Sequence, residues 1–338
     1  MSSKQQGVSE SPDLFAGKYV DCWRRMPDKS IFFVLLAAWF ALFHFLGNST
    51  LGYVKTSSLF GWWFWVNTRG LEGTGPWEAL ERVLGADEAH VWFVPFVALG
   101  LLWWKRRQLI DLPKRTWWPA LGLFAFALLL HILGYMVQQT RISIVAFLIG
   151  VYALTGLVWG WPWLRATLFP FFILVFCVPL GNSTEYVTFP LRLIATKITA
   201  VLANGVLGIG VIQNGTSIWE PSGRFQYEVA AACSGIRSLT AIFVLATVYG
   251  FVEFPKNWQR LVLMAMAFPL AVVGNIMRLL SIVVAAETFG QSAGNYVHES
   301  AVFSLMPYVP VILGLGLLGR WLHKFKFQAS TVLQEKAA

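Results

Sequence analysis

The stretch that decides the fold runs from Ile142 to Gly160 and reads ISIVAFLIGVYALTGLVWG. It contains no charged residue. A helix needs about 20 predominantly apolar residues to cross the hydrocarbon core of a bilayer, and this run has nearly that length. The stretch therefore predicts a transmembrane helix.

Runs of the same kind recur along the chain. The others are 31–46, 88–104, 117–137, 164–180, 231–252, 260–278 and 301–319. The 338 residues are 57% hydrophobic and only 13% charged, which is too apolar for a soluble protein. The sequence therefore predicts an all-α polytopic integral membrane protein with about eight transmembrane helices.

Charge and cysteine content exclude several classes of protein. The formal net charge is +9, but polytopic membrane proteins collect Lys and Arg in their cytoplasmic loops, so no nucleic-acid partner is expected. Cys22, Cys177 and Cys233 are too scattered for a disulfide framework. The histidines form no HExxH pattern and the cysteines no CxxC pattern, so we predict no metal and no cofactor.

The distribution of Lys and Arg predicts the orientation in the membrane. With the N-terminus inside, the cytoplasmic segments hold 17 of the 26 Lys and Arg residues, and the outer segments hold 7. The positive-inside rule therefore favours a cytoplasmic N-terminus and a cytoplasmic C-terminus.

Two extracytoplasmic segments have structure of their own. Apolar residues recur at helical spacing over 191–202, which predicts a small amphipathic helix that either lies on the membrane surface or packs on the bundle. Over 211–229, Asn214-Gly215 and Ser222-Gly223 interrupt short alternating runs, which predicts a small β-hairpin. This hairpin leads directly into Cys233.

The predicted topology brings three polar side chains to one membrane surface. Cys233 lies at the outer end of the 231–252 span. Asn275 and Arg278 lie at the outer end of the next span, three residues apart and so on one side of a helix. His298 lies in the outer segment that follows, before the chain enters the membrane again.

These residue types suit attack on a peptide carbonyl. Cys233 precedes Ser234 at a helix N-terminus, where the backbone N–H groups and the helix dipole stabilise a thiolate. In this chemistry the thiolate is expected to form a thioester, His298 to transfer protons, and Arg278 either to stabilise the oxyanion or to orient the substrate. Arg237 lies one turn deeper, where a guanidinium needs an internal partner or a role in substrate binding. Taken singly, a cysteine in an apolar run, an arginine at a span end and an interfacial histidine are common structural features, but their convergence favours the chemistry.

Three segments carry a resemblance to a known family. EVAAACSGIRSL (228–239), NIMRL (275–279) and YVHES (296–300) resemble, in order and spacing, the signature segments of the exosortase/archaeosortase family. The likeness extends over roughly 165–305. It implies a polytopic membrane transpeptidase of the PEP-CTERM type of protein sorting system, with Cys233, Arg278 and His298 as catalytic residues. Many members carry Glu two positions before the cysteine, where this chain has Ala231, and Glu228 could replace that carboxylate.

The resemblance implies an activity and a set of partners. The protein is expected to cleave C-terminal sorting signals of exported proteins through a Cys thioester at the outer face of the cytoplasmic (inner) membrane, and to transfer the product to an envelope acceptor. The expected partners are proteins that end in a short motif, a transmembrane helix and a basic tail, together with membrane lipids and an unidentified acyl acceptor. Ser234, Arg237, Asn275 and Glu228 are expected to support the site or bind substrate.

The chain divides accordingly into four regions. They are a cytoplasmic tail (1–30), an N-terminal transmembrane region with a Trp-rich extracytoplasmic loop (31–160), an exosortase-like catalytic transmembrane region (161–319) and a cytoplasmic C-terminal tail (320–338).

Two other functions remain open at this level. The chain could be a transporter or flippase for an anionic envelope precursor, in which Arg237, Arg278 and Glu287 line an anion path. It could also be a scaffold for envelope polysaccharide assembly. A transporter predicts broken helices in two corresponding halves and polar residues at mid-membrane depth. Here the polar residues cluster near one face.

Overall fold

A computed structural model describes residues 29–50, 53–68, 90–179, 185–228, 236–300 and 308–335, together with nine isolated positions (17, 20, 21, 23, 24, 75, 78, 83 and 303). The helices are α1 (Lys29–Leu46), α2 (Leu59–Thr68), α3 (His90–Trp104), α4 (Arg106–Asp111), α5 (Ala120–Met136), α6 (Thr140–Trp159), α7 (Trp161–Ile173, continued by a 3-10 turn, Leu174–Cys177), α8 (Glu185–Gly205), α9 (Ile236–Glu253), α10 (Asn257–Phe289), α11 (Gln291–Glu299) and α12 (Tyr308–Glu335). The strands are β1 (Ile212–Asn214), β2 (Ser217–Trp219) and β3 (Gln226–Glu228).

The helices confirm the predicted class, an all-α polytopic membrane protein. Each of the eight apolar runs contains a helix. Among the described residues, three helices, α1, α6 and α10, are long and apolar enough to cross a membrane. Four further apolar helices in the described chain are shorter: His90–Trp104, Ala120–Met136, Trp161–Cys177 and Leu239–Glu253.

The chain packs as two compact units, and the first comprises residues up to Asn67 together with Trp92–Pro179. Its centre is α6, which is buried along most of its length against α1 and α5. Gly150 makes this close packing possible, since a methyl group there would collide with the indole ring of Trp39. The Trp39 indole nitrogen donates to the main-chain carbonyl of Phe147 at 3.1 Å. This hydrogen bond joins α1 to α6, although Phe147 has no polar side chain.

The Trp-rich loop after α1 contains the helix α2. Trp63 on this helix donates its indole N–H to the carbonyl of Cys177 at 2.9 Å, and its ring lies 5.1 Å from that of Trp92. Cys177 itself is buried. Trp62 and Trp63 of α2 therefore pack into the first unit, while Phe64 is exposed.

The second unit comprises Thr68–Val91 and Leu180–Ala338, and α10 is its longest element. With 33 residues this helix is about 50 Å long. It forms a hairpin with α9, and α12 packs against both. The helix α10 includes the apolar run predicted as a span over 260–278 and continues beyond it to Phe289, where Gly290 ends it.

The predicted amphipathic helix over 191–202 is part of the longer helix α8, and it packs on the bundle. Ala195 lies in a small apolar cluster with Ile276 and Leu279 of α10. The polar side chains of α8 at Arg192, Thr196 and Thr199 are all buried, while its apolar residues Ile194, Ile198 and Val201 are exposed. This inverted distribution suits a helix whose outer face contacts lipid.

The predicted β-hairpin is confirmed, and a third strand extends it. The sheet is antiparallel in the order β1-β2-β3, with Ile218 paired to Gln213 on one side and to Tyr227 on the other. Gly215 provides the first turn with a φ of 60°. The inner face of the sheet packs with the ends of α8 and α10 through Ile218, Phe225 and Ile282.

Candidate active site

The helix α10 supplies the first two residues of the candidate site. Asn275 and Arg278 are both buried, with 4% and 6% of their surfaces exposed. Their spacing of three residues puts them on one side of α10, as the sequence predicted. A buried guanidinium is costly in an apolar bundle, so its hydrogen-bond partners carry information about its role.

His298 reaches Arg278 because the chain reverses after α10. Gly290 ends the helix with a φ of 88°, a left-handed conformation that glycine adopts without strain. The helix α11 begins at the next residue and runs back along α10. His298, near the C-terminal end of α11, therefore comes level with Arg278.

A hydrogen bond joins the two residues. Nη2 of Arg278 donates to the main-chain carbonyl of His298 at 3.0 Å. The bond uses the main chain and not the imidazole ring, so it anchors the end of α11. Two of the three residues predicted to be catalytic are thus in direct contact.

Tyr227 is a neighbour of His298 that the sequence did not single out. The two rings are nearly parallel, with an angle of 23° and centroids 6.5 Å apart. The phenol Oη donates to the carbonyl of Gln291 at 3.0 Å. Burial raises the pKa of Tyr227 above its ordinary value, so this hydroxyl stays protonated as a donor.

The side chain of Gln291 binds the same strand. Its Oε1 accepts from the backbone N–H of Gln226 at 3.0 Å, and its Nε2 donates to the carbonyl of Gln226 at 3.2 Å. The amide thus pairs with β3 much as another strand would. Gly294 allows the close approach, since a methyl group there would collide with Oη of Tyr227.

Charged residues fasten the same sheet to the end of α10. The Arg224 guanidinium is 2.8 Å from Oε1 of Glu287 and 3.5 Å from Oε1 of Glu220. Glu220 also accepts from the Ser222 hydroxyl and from the backbone N–H groups of Ser222 and Arg224. These hydrogen bonds, that of the Ser222 hydroxyl foremost, lower the pKa of Glu220.

The remaining candidate residues are only partly within the described structure. Cys233 and Ser234 lie outside the described residues. Glu228 ends β3 and Arg237 lies in the first turn of α9, but their side chains are not described. In the part of the chain that is described, no group of His, Cys, Asp and Glu side chains could hold a metal ion.

The site thus contains residues that local sequence patterns did not reveal. Tyr227, Gln291 and Gly294 contact one another across a long interval of sequence, and no periodicity in the sequence predicts such a contact. The only available signals were the alternation at Phe225 and Tyr227, which predicted a strand, and the proximity of Gly294 to His298 in the chain.

Comparison with known proteins gives one match. The family model described as Transmembrane exosortase (Exosortase_EpsH) matches residues 77–315, which is more than two thirds of the chain. The matched range includes Cys233, Arg278 and His298. No curated protein and no solved structure gives a significant match.

Proposed function

The chain belongs to the transmembrane exosortase family, and we propose that it is a cysteine transpeptidase that cleaves the C-terminal sorting signals of exported proteins. The family is one of membrane-embedded transpeptidases and proteases. The observation that carries the proposal is the family match over 77–315, which contains all three residues that the chemistry requires.

In the proposed first step, Cys233 attacks the scissile peptide bond. The thiol proton passes to His298, and the thiolate sulfur bonds to the carbonyl carbon. When the tetrahedral intermediate collapses, the C–N bond breaks and His298 returns the proton to the leaving amine. The product is a thioester between Cys233 and the new C-terminus of the substrate.

In the second step, an acceptor removes the acyl group. A nucleophile of the envelope, or water, gives its proton to His298 and attacks the thioester carbonyl. The C–S bond then breaks, and the sulfur leaves as a thiolate that is ready for another cycle. The acceptor is defined here only by its chemistry, a group with a nucleophilic atom and a transferable proton.

Arg278 is proposed to stabilise the oxyanion that forms in both steps. A guanidinium is always charged and presents five N–H donors in a planar arrangement. The hydrogen bond from Arg278 to the main-chain carbonyl of His298 supports this proposal, because it holds the end of α11, which carries the base, beside the guanidinium. Asn275, Ser234, Arg237 and Glu228 are proposed to orient these groups or the substrate.

We further propose the location of the site and of the substrate. The site lies on the extracytoplasmic side of the cytoplasmic membrane, within a catalytic region over 161–319, and both termini are cytoplasmic. The substrate docks by its own transmembrane helix, which holds the cleavage site at the depth of Cys233 and supplies part of the rate enhancement through proximity. Its basic tail remains in the cytoplasm.

The alternative of an anion transporter has less support. Of the three residues proposed for an anion path, Glu287 forms an ion pair with Arg224 on the sheet. Arg278 donates to a main-chain carbonyl. Both contacts bind neighbouring segments of the protein together, and neither depends on a transported anion.

The proposal is tested by co-expression with a substrate that carries a sorting signal. Cys233→Ala and Cys233→Ser should insert normally and leave the substrate uncleaved, since neither side chain provides a thiolate. Cys177→Ala is the matched control, because it removes another thiol from the same protein, and it should retain cleavage. If Cys233→Ala cleaves the substrate at the wild-type rate, the proposed function is wrong.

A further inference from the structure

The strand β3 is attached to the helix α11 at three points. The Gln291 side chain pairs with the backbone of Gln226, Oη of Tyr227 donates to the carbonyl of Gln291, and the Tyr227 ring stacks on that of His298. We call these contacts the strand clamp. They join one residue at the start of α11 and one near its end to two consecutive residues of a short strand.

The clamp connects the two halves of the proposed catalytic pair. His298 is itself one of the clamped residues. Cys233 follows Tyr227 by six positions, so it lies on the chain that leaves the clamped strand. Because few residues separate Tyr227 from Cys233, the position of β3 limits where the nucleophile can lie relative to the imidazole.

The clamp adds hydrogen bonds to a sheet that is small. Each strand has only three residues, so the ladder alone provides few hydrogen bonds. The Gln291 amide and the Tyr227 hydroxyl add three more, and Arg224–Glu287 adds an ion pair between the sheet and α10. Gly294 is the position of closest approach, where a larger side chain would push Tyr227 away.

We propose that Tyr227 is a positioning residue that fixes the imidazole of His298 relative to the Cys233 thiol. This inference rests on the proposed function and adds to it a residue that acts through His298 and does not itself touch the substrate. The hydroxyl holds Tyr227 to α11, and the ring face sets the plane of the imidazole. The alternative is that the clamp only stabilises the sheet.

The test measures the coupling between thiol and imidazole without any substrate. Alkylation of Cys233 is followed against pH in membranes containing the full chain, by mass spectrometry of the Cys233 peptide. An ordinary cysteine thiol has a pKa of about 8.5, and a protonated histidine beside it lowers that value. Burial raises the pKa of the neighbouring Tyr227, so its hydroxyl stays neutral in this range, and the Arg278 guanidinium contacts the end of the same helix.

Three variants are compared with the wild type. Tyr227→Phe keeps the ring and removes one hydrogen bond. The midpoint of Cys233 alkylation against pH should therefore rise by about 0.7 pH units. The kcat for cleavage should fall about fivefold, with KM little changed. Gly294→Ala displaces the whole tyrosine, and its kcat should fall about a hundredfold. Tyr296→Phe is the matched control on the same helix, and both quantities should stay at wild-type values because Tyr296 is exposed.

His298→Ala separates failure of the inference from failure of the proposed function. If His298→Ala raises the midpoint towards 8.5 while Tyr227→Phe and Gly294→Ala leave it unchanged, the clamp has no positioning role and the catalytic pair stands. If His298→Ala leaves the midpoint unchanged, Cys233 and His298 are not coupled, and the positioning role falls together with the proposed pair. A rise in the alkylation midpoint in His298→Ala, Tyr227→Phe and Gly294→Ala, with none in the control Tyr296→Phe, supports the inference.

Discussion

The two compact units of the chain bury polar groups in different ways. In the first unit the described polar residues that are buried as whole residues are neutral, and several of them bind one another. Asn48 accepts from the N–H and the hydroxyl of Thr50 and from the hydroxyl of Thr140, and it donates to the carbonyl of Thr56. His131 and Ser143 are 3.0 Å apart and join α5 to α6.

In the second unit the buried polar groups include charges. Arg192 and Arg278 are 5% and 6% exposed. Thr199 is fully buried, and its hydroxyl has no hydrogen-bond partner among the described residues. Arg278 donates to a segment that also carries His298.

The difference separates a structural interior from a functional one. Neutral groups that satisfy one another hold helices together at little cost, because no charge leaves water. Buried guanidinium groups cost several kcal/mol each after relaxation, and a fold that keeps them gains something other than stability. The four predictions below test this distinction.

The largest effect is expected at Arg278. Arg278→Ala and Arg278→Lys should both lower kcat by roughly 10²–10³. Alanine removes the donors, and the ammonium group of lysine cannot bind the oxyanion and the His298 carbonyl in the same plane. The measurement is the initial rate of substrate cleavage at matched protein levels. Arg224→Lys is the control, because Arg224 is 58% exposed and pairs with Glu287 at the surface, where a lysine can replace it. Recovery of most activity in Arg278→Lys would mean that charge alone is required.

In the first unit the main effect should be on stability. Asn48→Ala removes four hydrogen bonds and leaves the buried Thr140 hydroxyl unsatisfied, so it should lower the free energy of unfolding by about 2–4 kcal/mol. Denaturation in mixed micelles measures this loss. The folded fraction should cleave at the wild-type rate. A reduced kcat in the folded fraction would mean that the first unit takes part in catalysis, which would contradict the proposed difference between the two units.

A matched pair of threonines tests the contrast with a smaller change. Thr140 and Thr199 are both buried, and valine has nearly their shape. Thr140→Val should lower the free energy of unfolding by about 1 kcal/mol because it removes the bond to Asn48. Thr199→Val should leave the free energy unchanged or raise it slightly, since no described partner is lost. A loss of stability in Thr199→Val equal to that in Thr140→Val would show that both hydroxyls are bonded.

The smallest effect concerns the loop between β2 and β3. The folded pKa of Glu220 lies below its unfolded value, so its ionisation contributes stability above the ordinary glutamate pKa of about 4.3. That contribution is lost as the pH falls through the folded pKa. Glu220→Gln should therefore lower the stability at pH 7, and the difference from the wild type should shrink as the pH falls through the acid range. An unchanged acid slope would mean that the carboxylate gains nothing from Ser222 and Arg224.

Much of the fold could be predicted because its signals are local. Uncharged runs such as 142–160 predicted the helices, and Asn214-Gly215 predicted the turn of the hairpin. The full extent of α10 could not be predicted from the apolar run over 260–278, because the helix continues to Phe289. Arg278 is buried along this helix, which ends before Gly290.

The candidate site was predictable only in part. Arg278 and His298 could be brought together by counting spans, and their contact in the structure agrees with that prediction. The contacts of Tyr227 with Gln291 and His298 could not be predicted, because they depend on the reversal at Gly290 and on the missing side chain at Gly294. The reason for a glycine at position 290 or 294 can be seen only when the segment that packs against it is known.

The most direct test of the account is to trap the intermediate on Cys233. Full-length protein in membranes is mixed with substrate, quenched with acid during turnover and digested, and the Cys233 peptide is examined by mass spectrometry. The account predicts that this peptide carries the N-terminal product of the substrate as a thioester, that hydroxylamine removes it, and that the peptides of Cys22 and Cys177 are unmodified. Cleavage that proceeds under these conditions with no acyl group on Cys233, in the wild type and in the slower His298→Ala variant alike, would contradict it.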